Sequence, residues 1–202
     1  MTDDLNTIHV DLKNDMNLLW IDLETTGLDE NEGMLLEVAA IVTTPELEEI
    51  ETFHRVVYQP MIVLNDLDDW IIETHTKNGL LHEVVRSEHR LDTVDRELAS
   101  FIIRNKESGS KLPLCGSSIN FERRWMAKYL PVAYEYIHYR SVDVSSFKEM
   151  FKRWAPEIRT PLLVDVLSTH RAMDDIKASI MELSFYRDHA DKLLPPVSAA
   201  TM

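Results

Sequence analysis

Two acidic side chains lie two positions apart at the end of an apolar segment. The segment NLLWIDLET, residues 17–25, carries Asp22 and Glu24, and its alternation predicts a β-strand. One face is predicted to carry both acids and Trp20, and the other face Leu19, Ile21 and Leu23. Like charges this close need a cation or solvent between them, so their place on an apolar strand favours a metal site. Because 35 acids in 202 residues give roughly 6 such pairs by chance, an ordinary surface pair is the alternative.

A second acidic pair, Asp174 and Asp175, lies at the predicted start of the last long helix, which runs from Ala172 to about His189. The buried face of this helix is predicted to carry Met173, Ile176, Ile180 and Leu183. His170 comes five residues before Asp175, so both can lie near one end of the helix. An imidazole there could deprotonate water near neutral pH. The alternative is that the acids only complement the helix dipole and that the histidine is structural.

A third group of polar residues follows the short apolar segment LPLCG, which is predicted to be a buried strand. Gly116–Ser118 lie between this strand and a helix predicted from Asn120 to Tyr129, a place suited to binding phosphate. Glu122 lies one turn into that helix. The alternative for Glu122 is an exposed acid paired with Arg123, Arg124 or Lys128.

These residues need a scaffold that the rest of the sequence predicts. The first three predicted strands, which suggest a meander, span residues 17–25, 33–44 and 50–60. Helical spacing follows over residues 64–87, interrupted at Asn78-Gly79, and an amphipathic helix spans residues 91–107. Another strand is predicted within residues 138–144 and a helix at residues 145–155. Strands first, then alternating helices and strands, predict an α/β domain with a mixed sheet.

Composition restricts the classes of function. The net charge of −14 argues against a protein that coats long nucleic acid, because such proteins neutralise many phosphates with lysine and arginine. If nucleic acid is the substrate, the charge favours a short one. Cys115 is the only cysteine, so no intrachain disulfide can form, and a reducing cytoplasm is expected. No apolar run approaches the roughly 20 residues of a membrane span, and the acidic start lacks the features of a signal peptide.

The chain is long enough for one domain with a proper core. Residues 1–16 are predicted to be a flexible N-terminal arm and residues 17–190 the functional domain. Residues 191–202 lack periodicity and are predicted to be a C-terminal tail.

Five blocks of the sequence together resemble the oligoribonucleases, which are DEDDh 3′→5′ exonucleases with a ribonuclease H-like fold. The blocks are WIDLETTGLD, DDWIIETHTKNGL, PLCGSSINFERRW, HYRSVDVSSFKEM and THRAMDDI. WIDLETTGL alone indicates only the wider exonuclease superfamily, whereas HYRSVDVSS together with HRAMDDI is more specific. The resemblance covers about residues 17–190. It implies a single α/β domain, a ribonuclease H-like mixed sheet flanked by helices, that degrades very short single-stranded RNA oligonucleotides to 5′-mononucleotides as a cytoplasmic homodimer.

The resemblance also implies which residues perform the chemistry. Asp22, Glu24, Glu122 and Asp175 would hold two divalent cations, Mg²⁺ or Mn²⁺, and His170 would be the general base for the attacking water. This implication agrees with the residues themselves, because hard cations prefer oxygen ligands and these carboxylates supply them. Cys115 is then expected to be a core residue.

Further residues are implied to bind the substrate. Leu28 and Trp70 would wedge and stack the terminal bases, with His75 near them, and stacking on tryptophan tolerates any base sequence.

A third set is implied to select substrates by length. Ser118, Arg140 and Ser145 would cap the 5′ phosphate, the last two from the partner of a homodimer, and Lys148 would assist. Tyr139 would approach the neighbouring active site. A chain longer than a few nucleotides would collide with this cap.

Two positions depart from the family pattern: Ser117 stands where the family has asparagine, and Glu122 where it has aspartate. The longer side chain of Glu122 is expected to affect the level of activity and not the fold, because small displacements in a site change rates strongly. One alternative is an exonuclease of the same fold that trims longer DNA or RNA, which should lack the HYRSVDVSS block and carry basic patches. The other is a relative that binds short nucleotides without cutting them.

Overall fold

Strands and helices follow one another along the chain much as the sequence pattern predicts. The computed structural model describes residues 16–64, 67–159 and 169–193. Within these ranges the elements are β1 (Leu18–Thr25), β2 (Leu35–Thr43), β3 (Glu49–Val56), α1 (Met61–Leu64), α2 (Asp69–Lys77), α3 (Leu80–Val84), α4 (Leu91–Arg104), β4 (Leu112–Gly116), α5 (Asn120–Tyr129), α6 (Pro131–Tyr134), β5 (Ile137–Asp143), α7 (Val144–Trp154), α8 (Ala172–Asp188) and a 3₁₀ turn (Ala190–Leu193). None of these helices is long and apolar enough to cross a membrane. The predicted arm and tail lie outside the described residues, apart from residue 16 and residues 191–193.

The strands form one mixed sheet in the order β3-β2-β1-β4-β5. The first three strands are antiparallel neighbours, which confirms the predicted meander. Strands β4 and β5 run parallel to β1, with helices in the connections, as parallel pairs require. The sequence prediction of an α/β domain with a mixed sheet is confirmed, and β1 lies at the centre of the sheet.

The side chains of β1 separate two hydrophobic layers. Leu19, Ile21 and Leu23 face a layer that includes Leu98 of α4 and Trp125 of α5. Trp20 faces the opposite layer, together with buried residues of α7 and α8. Burying each large apolar side chain contributes about 1.5–3 kcal/mol, so the helices are fixed against both faces of the strand that carries Asp22 and Glu24.

The break predicted at Asn78-Gly79, within the helical segment 64–87, separates α2 from α3. Asn78 is the C-terminal cap of α2, and Gly79 has a left-handed φ of 82° that a side chain would disfavour. Leu80 N then donates to Asn78 Oδ1 at 3.1 Å, an ordinary hydrogen-bond length. The break therefore separates α2 from α3, and Leu80 and Val84 of α3 pack against Leu36 of β2.

Two short helices, α1 and α6, are absent from the sequence prediction. The third strand ends at Val56, not at residue 60, and one turn of helix follows Pro60. Helix α6 begins with Pro131 at its first position, where a missing N–H costs nothing. The Asp95 carboxylate on α4 accepts from Val132 N at 3.0 Å and from Ala133 N at 2.8 Å. A cap so distant in sequence is not visible in local patterns.

Candidate active site

Carboxylates from two elements meet at the end of β1. Asp22 and Glu24 project from one face of the strand, and Asp175 approaches them from the first turn of α8. One oxygen from each of the three lies within 4.8 Å of the others. The pairing of β1 with β2 becomes irregular directly after Glu24, so regular strand geometry ends beside the cluster. The sequence prediction that these residues share a site agrees with this placement.

Burial and mutual repulsion disfavour negative charge on the clustered acids. Burial, followed by the charges of Glu122 and Glu24, raises the pKa of Asp22 well above its ordinary value. Burial and the charge of Asp175 raise the pKa of Glu24 to about 8. A bound cation would remove this penalty, because opposite charge favours the ionised carboxylate.

Glu122 is buried on α5 beside this cluster, although it is not one of the three carboxylates that converge within 4.8 Å. Its charge contributes to the raised pKa of Asp22, and burial raises the pKa of Glu122 itself to about 8. The basic residues after it bind elsewhere: Arg123 donates to Ser141 Oγ and to backbone carbonyls, and Arg124 and Lys128 donate to Glu30. The interpretation of Glu122 as an exposed acid paired with these residues is therefore wrong.

The donor atoms of the site fit a hard divalent cation. Each of the clustered side chains offers carboxylate oxygens, which Mg²⁺ and Mn²⁺ prefer. Glu122 Oε2 is buried and has no hydrogen-bond partner among the described residues, as expected for an oxygen that awaits a cation or water. Cys115 is buried in the core layer that contains Trp20, as the sequence analysis expects.

His170 lies exposed immediately before α8, with a left-handed φ of 53°. Its ring meets the ring of Trp70 edge to face, with centroids 5.4 Å apart. Such a backbone conformation is uncommon for residues other than glycine and indicates that the surroundings fix it. The structure thus places the predicted base beside the predicted stacking residue.

His75 is buried on α2, and its Nε2 lies 3.7 Å from Glu24 Oε2. Burial, together with the nearby His170, lowers the pKa of His75. Its Nδ1 has no hydrogen-bond partner among the described residues. The ring therefore lies buried beside Glu24, close to the predicted position of the bases, where its charged form is disfavoured.

An open cavity of about 720 Å³ adjoins the carboxylates. Its wall includes Glu24, Leu28, Trp70, His75 and Phe121. Leu28 is 83% exposed and Trp70 is 57% exposed, so both can contact a ligand. The sequence analysis did not predict that Phe121 lines the cavity. Its position directly before the candidate ligand Glu122 was the only sign of this in the sequence.

Two of the residues predicted to bind the 5′ phosphate, Ser118 and Ser145, meet where β4 and β5 end. Ser118 N donates to Ser145 Oγ at 2.9 Å, and the two hydroxyls are 3.2 Å apart. Asp143 Oδ1 accepts from Ser118 N and from Ser145 N, both at 3.0 Å. Ser118 and Ser145 therefore lie together within one chain, whereas the sequence analysis expected them to meet across subunits. Ser117, the first departure from the family pattern, hydrogen-bonds the hydroxyl of Ser179 at 3.0 Å.

The other residues of the predicted cap lie on or after the edge strand β5. Tyr139 is 74% exposed, and the Arg140 guanidinium lies 5.2 Å from the centre of its ring. Lys148 Nζ is 3.4 Å from Glu182 Oε1, so this lysine balances a buried carboxylate. The roles of these residues toward a substrate stay predictions.

Sequence reasoning missed the residues that support His170. Arg171 binds the buried Glu37 of β2, and Asn78 binds the backbone at residues 169 and 170. Glu37 is the one charged residue in the apolar, buried strand β2. A buried charge needs a partner, and this was the sign in the sequence that Glu37 has a special role.

Comparison with known proteins gives consistent matches over this architecture. A family model described as exonuclease matches residues 19–183. The chain is 40% identical over 179 residues to an oligoribonuclease of Legionella pneumophila (strain Corby), covering 88% of this chain and 94% of that protein. It is 41% identical over 174 residues to an oligoribonuclease of Actinobacillus pleuropneumoniae, covering 86% and 93%.

Solved structures share the fold at lower identity. Exonuclease I from Methylocaldum szegediense superposes with a TM-score of 0.70 at 19% identity, over 88% of this chain and 41% of that longer chain. E. coli exonuclease I in complex with a dT13 oligonucleotide gives 0.67 at 18% identity, over 88% and 42%. These likenesses establish the mixed sheet with flanking helices as an exonuclease fold.

Proposed function

The chain belongs to the exonuclease family and within it to the oligoribonucleases, and from this premise we propose that it is a metal-dependent 3′→5′ exoribonuclease that degrades very short single-stranded RNA to 5′-mononucleotides.

One observation carries the proposal: Glu24 belongs both to the carboxylate cluster and to the wall of the apolar cavity. A base stacked on Trp70 in that cavity therefore has its phosphodiester near the cation ligands. Stacking reads no base sequence, which suits an enzyme that acts on many short oligomers.

The chain's residues divide the reaction between them. Asp22, Glu24 and Asp175, with Glu122 beside them, would hold two Mg²⁺ or Mn²⁺ ions. The chemistry that such ions would supply is activation of water and stabilisation of the leaving 3′ oxygen of a phosphodiester. His170, exposed next to Trp70, would accept the proton of the attacking water.

Length selection would come from residues around the 5′ phosphate. Ser118 and Ser145 present hydroxyls at one point of the chain, and Arg140 is suited to phosphate by charge and geometry. We propose a homodimer in which Arg140 acts toward the partner's site, with Lys148 assisting. The exposed Tyr139 on the edge strand would contact the partner.

The relatives favour this function over the two alternatives. At about 40% identity over most of both chains they are oligoribonucleases, and the HYRSVDVSS block expected of the cap is present. The cluster of carboxylates disfavours a protein that only binds nucleotides. We further propose a cytoplasmic location, because the single cysteine requires no oxidising compartment.

Product analysis on 5′-labelled RNAs of two to seven nucleotides, with Mg²⁺ or Mn²⁺, tests the proposal. The labelled RNAs should shorten one nucleotide at a time from the 3′ end and finish as labelled 5′-mononucleotide, with the shortest substrates consumed fastest. Asp22→Asn keeps the shape of the side chain but removes a charge, so turnover should fall by at least about 100-fold.

Asp92→Asn is the matched control, since Asp92 forms an exposed pair with Arg96 on α4. It should leave turnover unchanged. Near-normal hydrolysis by folded Asp22→Asn protein, or preferential consumption of long RNA, would refute the proposal.

A further inference from the structure

The backbone that carries His170 is bound by a side chain from another element. Asn78 Nδ2 donates to His170 O at 2.5 Å and to Thr169 O at 3.3 Å. Because Asn78 ends α2, which also carries Trp70 and His75, it joins the segment of the predicted base to the helix of the stacking residue. These bonds act on carbonyl oxygens and leave the imidazole of His170 available.

Arg171, the next residue, is held on two sides. Its Nη2 lies 2.9 Å from Glu37 Oε1 and 2.8 Å from Glu83 Oε2, and its Nε donates to Glu37 Oε1 at 3.1 Å. The planar guanidinium can satisfy several acceptors in fixed directions, which an ammonium group cannot do. The segment is therefore bound to β2 through Glu37 and to α3 through Glu83.

Glu37 also caps the helix that carries Asp175. The N-cap residue of α8 is Arg171, whose side chain cannot accept a hydrogen bond. Instead, Ala172 N donates to Glu37 Oε2 at 3.0 Å. A carboxylate at this position satisfies a free N–H group and complements the helix dipole.

Glu37 is opposite Glu24 in the pairing of β1 with β2. Unlike Glu24, its carboxylate already accepts hydrogen bonds from several donors of the protein. His54 Nε2, Arg171 and Ala172 N all lie within hydrogen-bond distance of its oxygens. The charge of Glu37 is therefore balanced within the protein, whereas the neighbouring carboxylates of Asp22, Glu24 and Asp175 would require a bound cation.

We propose that Glu37, Asn78 and Arg171 form a positioning network that fixes His170 and the first turn of α8 relative to the stacking residue. None of the three is assigned a contact with the substrate. The inference rests on the proposed function only for the catalytic role of His170; the fixed placement of His170 is a separate claim.

Two conservative variants test the network through turnover. Asn78→Asp keeps the acceptor for Leu80 N but sets an oxygen against the carbonyls of residues 169 and 170. Arg171→Lys keeps the charge and loses the planar geometry. For each we expect kcat on an RNA dinucleotide, per folded molecule and well below Tm, to fall by about 10- to 100-fold, as for residues that orient catalytic groups. KM should stay within about two-fold, because the stacking residues are unchanged.

Arg104→Lys is the matched control, because Arg104 forms a similar pair with Glu51 of the edge strand β3. Its kcat should match that of the unmodified protein.

A spectroscopic measurement follows His170 directly. The ring of Trp70 lies edge to face with His170, so its ring current should displace the Cε1–H proton resonance of His170. That resonance is assigned by its loss in His170→Gln. In Asn78→Asp and Arg171→Lys it should move toward the position of a free histidine.

A lower kcat together with a displaced resonance supports the network. Normal kcat in both variants overturns it, and so does a lower kcat with an unchanged resonance, because His170 would then not have moved. An unmodified protein that hydrolyses no short RNA would instead refute the proposed function, and the resonance would still decide whether the network positions His170.

Discussion

Glu24 and Glu37 face each other across β1 and β2, yet their pKa values move in opposite directions. Burial and the charge of Asp175 raise the pKa of Glu24 to about 8. Burial acts on Glu37 in the same sense, but hydrogen bonds from His54 and Arg171 outweigh it and lower its pKa. Arg171 stabilises the charge of Glu37 from within the protein, whereas the charge of Glu24 requires a cation bound from solution.

The first prediction concerns stability without metal. The pKa values of Asp22 and Glu24 in the folded protein lie above their ordinary values, so the stability they contribute is present below about pH 4.5 and lost as the pH rises through about 8. In the presence of a chelator, Tm should therefore fall between pH 5 and pH 8. Mn²⁺ binds the deprotonated acids, so it should raise Tm more at pH 8 than at pH 6. At a Mn²⁺ concentration of 100 times its Kd, the free energy of unfolding should increase by about 2.7 kcal/mol.

Calorimetry of the unmodified protein and of Asp22→Asn provides the comparison. The variant lacks one titrating acid, so both the pH dependence and the gain from Mn²⁺ should shrink. A gain from Mn²⁺ that is equal in the two proteins would remove Asp22 from the metal site.

The second prediction concerns Trp70. Stacking of a base on an aromatic side chain is worth about 1–3 kcal/mol, so Trp70→Ala should raise KM for an RNA dinucleotide by about 5- to 150-fold. Trp70→Phe retains a ring and should lose much less. Steady-state kinetics on all three proteins decides the point, and an unchanged KM in Trp70→Ala would mean that the bases bind elsewhere.

Much of this site could be predicted from local sequence. Alternation along β1 is enough to put Asp22 and Glu24 on one face, and the start of a helix is enough to put Asp175 at an end that can face them. The break at Asn78-Gly79 was visible because glycine permits a left-handed backbone. Each of these features depends on neighbours within a few residues.

The remaining features depend on contacts between distant residues. Glu37 caps a helix that begins 135 positions later, and Asp95 caps α6 from 37 and 38 positions away. The burial of Glu122 follows from the packing of α5 on the sheet, which the pattern of that helix alone left open. No local signal fixes such contacts, because they form only when the whole sheet is assembled.

The third prediction is that the protein is a homodimer. The exposed Tyr139 lies on the edge strand β5, where a second chain could cover it. Light scattering should give about twice 23.4 kDa. A stable, fully active monomer would exclude any contribution of Arg140 or Tyr139 to a partner's site.

The fourth prediction concerns Arg140. A charge-assisted hydrogen bond to phosphate is worth about 1.5–3 kcal/mol, so Arg140→Ala should slow dinucleotide hydrolysis by about 10- to 150-fold. Longer oligomers make other contacts and should lose less. Rates on RNAs of two to seven nucleotides measure the difference, and equal losses at every length would assign Arg140 a different role.

Mixing variants shows whether Arg140 acts across subunits. In a mixed dimer of Asp22→Asn and Arg140→Ala chains, one site receives both intact residues if Arg140 belongs to the partner's site. Random exchange makes half of the dimers mixed, with one of two sites intact, so about a quarter of normal activity should return. No recovery after verified exchange would place Arg140 in its own chain's site.

The last prediction concerns Glu122, where the family pattern has aspartate. Its carboxylate is buried, its Oε2 has no hydrogen-bond partner among the described residues, and its charge acts on Asp22. Yet it is not among the carboxylates that converge within 4.8 Å. The additional methylene of glutamate, compared with aspartate, would displace its carboxylate from that position. Mg²⁺ demands near-ideal octahedral geometry, so a displaced ligand should suit Mn²⁺ better. We expect higher activity with Mn²⁺, a loss of about 100-fold in Glu122→Ala, and a shift toward Mg²⁺ in Glu122→Asp.

Measurements of kcat with each metal for the three proteins separate a ligand from a buried structural acid. A structural acid would alter Tm in Glu122→Ala and leave the ratio of the Mg²⁺ and Mn²⁺ rates unchanged, because that ratio reports only on the cation's surroundings. A ligand would alter the ratio even in Glu122→Asp, which keeps the charge and shortens the side chain by one methylene. An unchanged ratio in both variants, with kcat near normal, would therefore remove Glu122 from the metal site and leave Asp22, Glu24 and Asp175 to hold the cations.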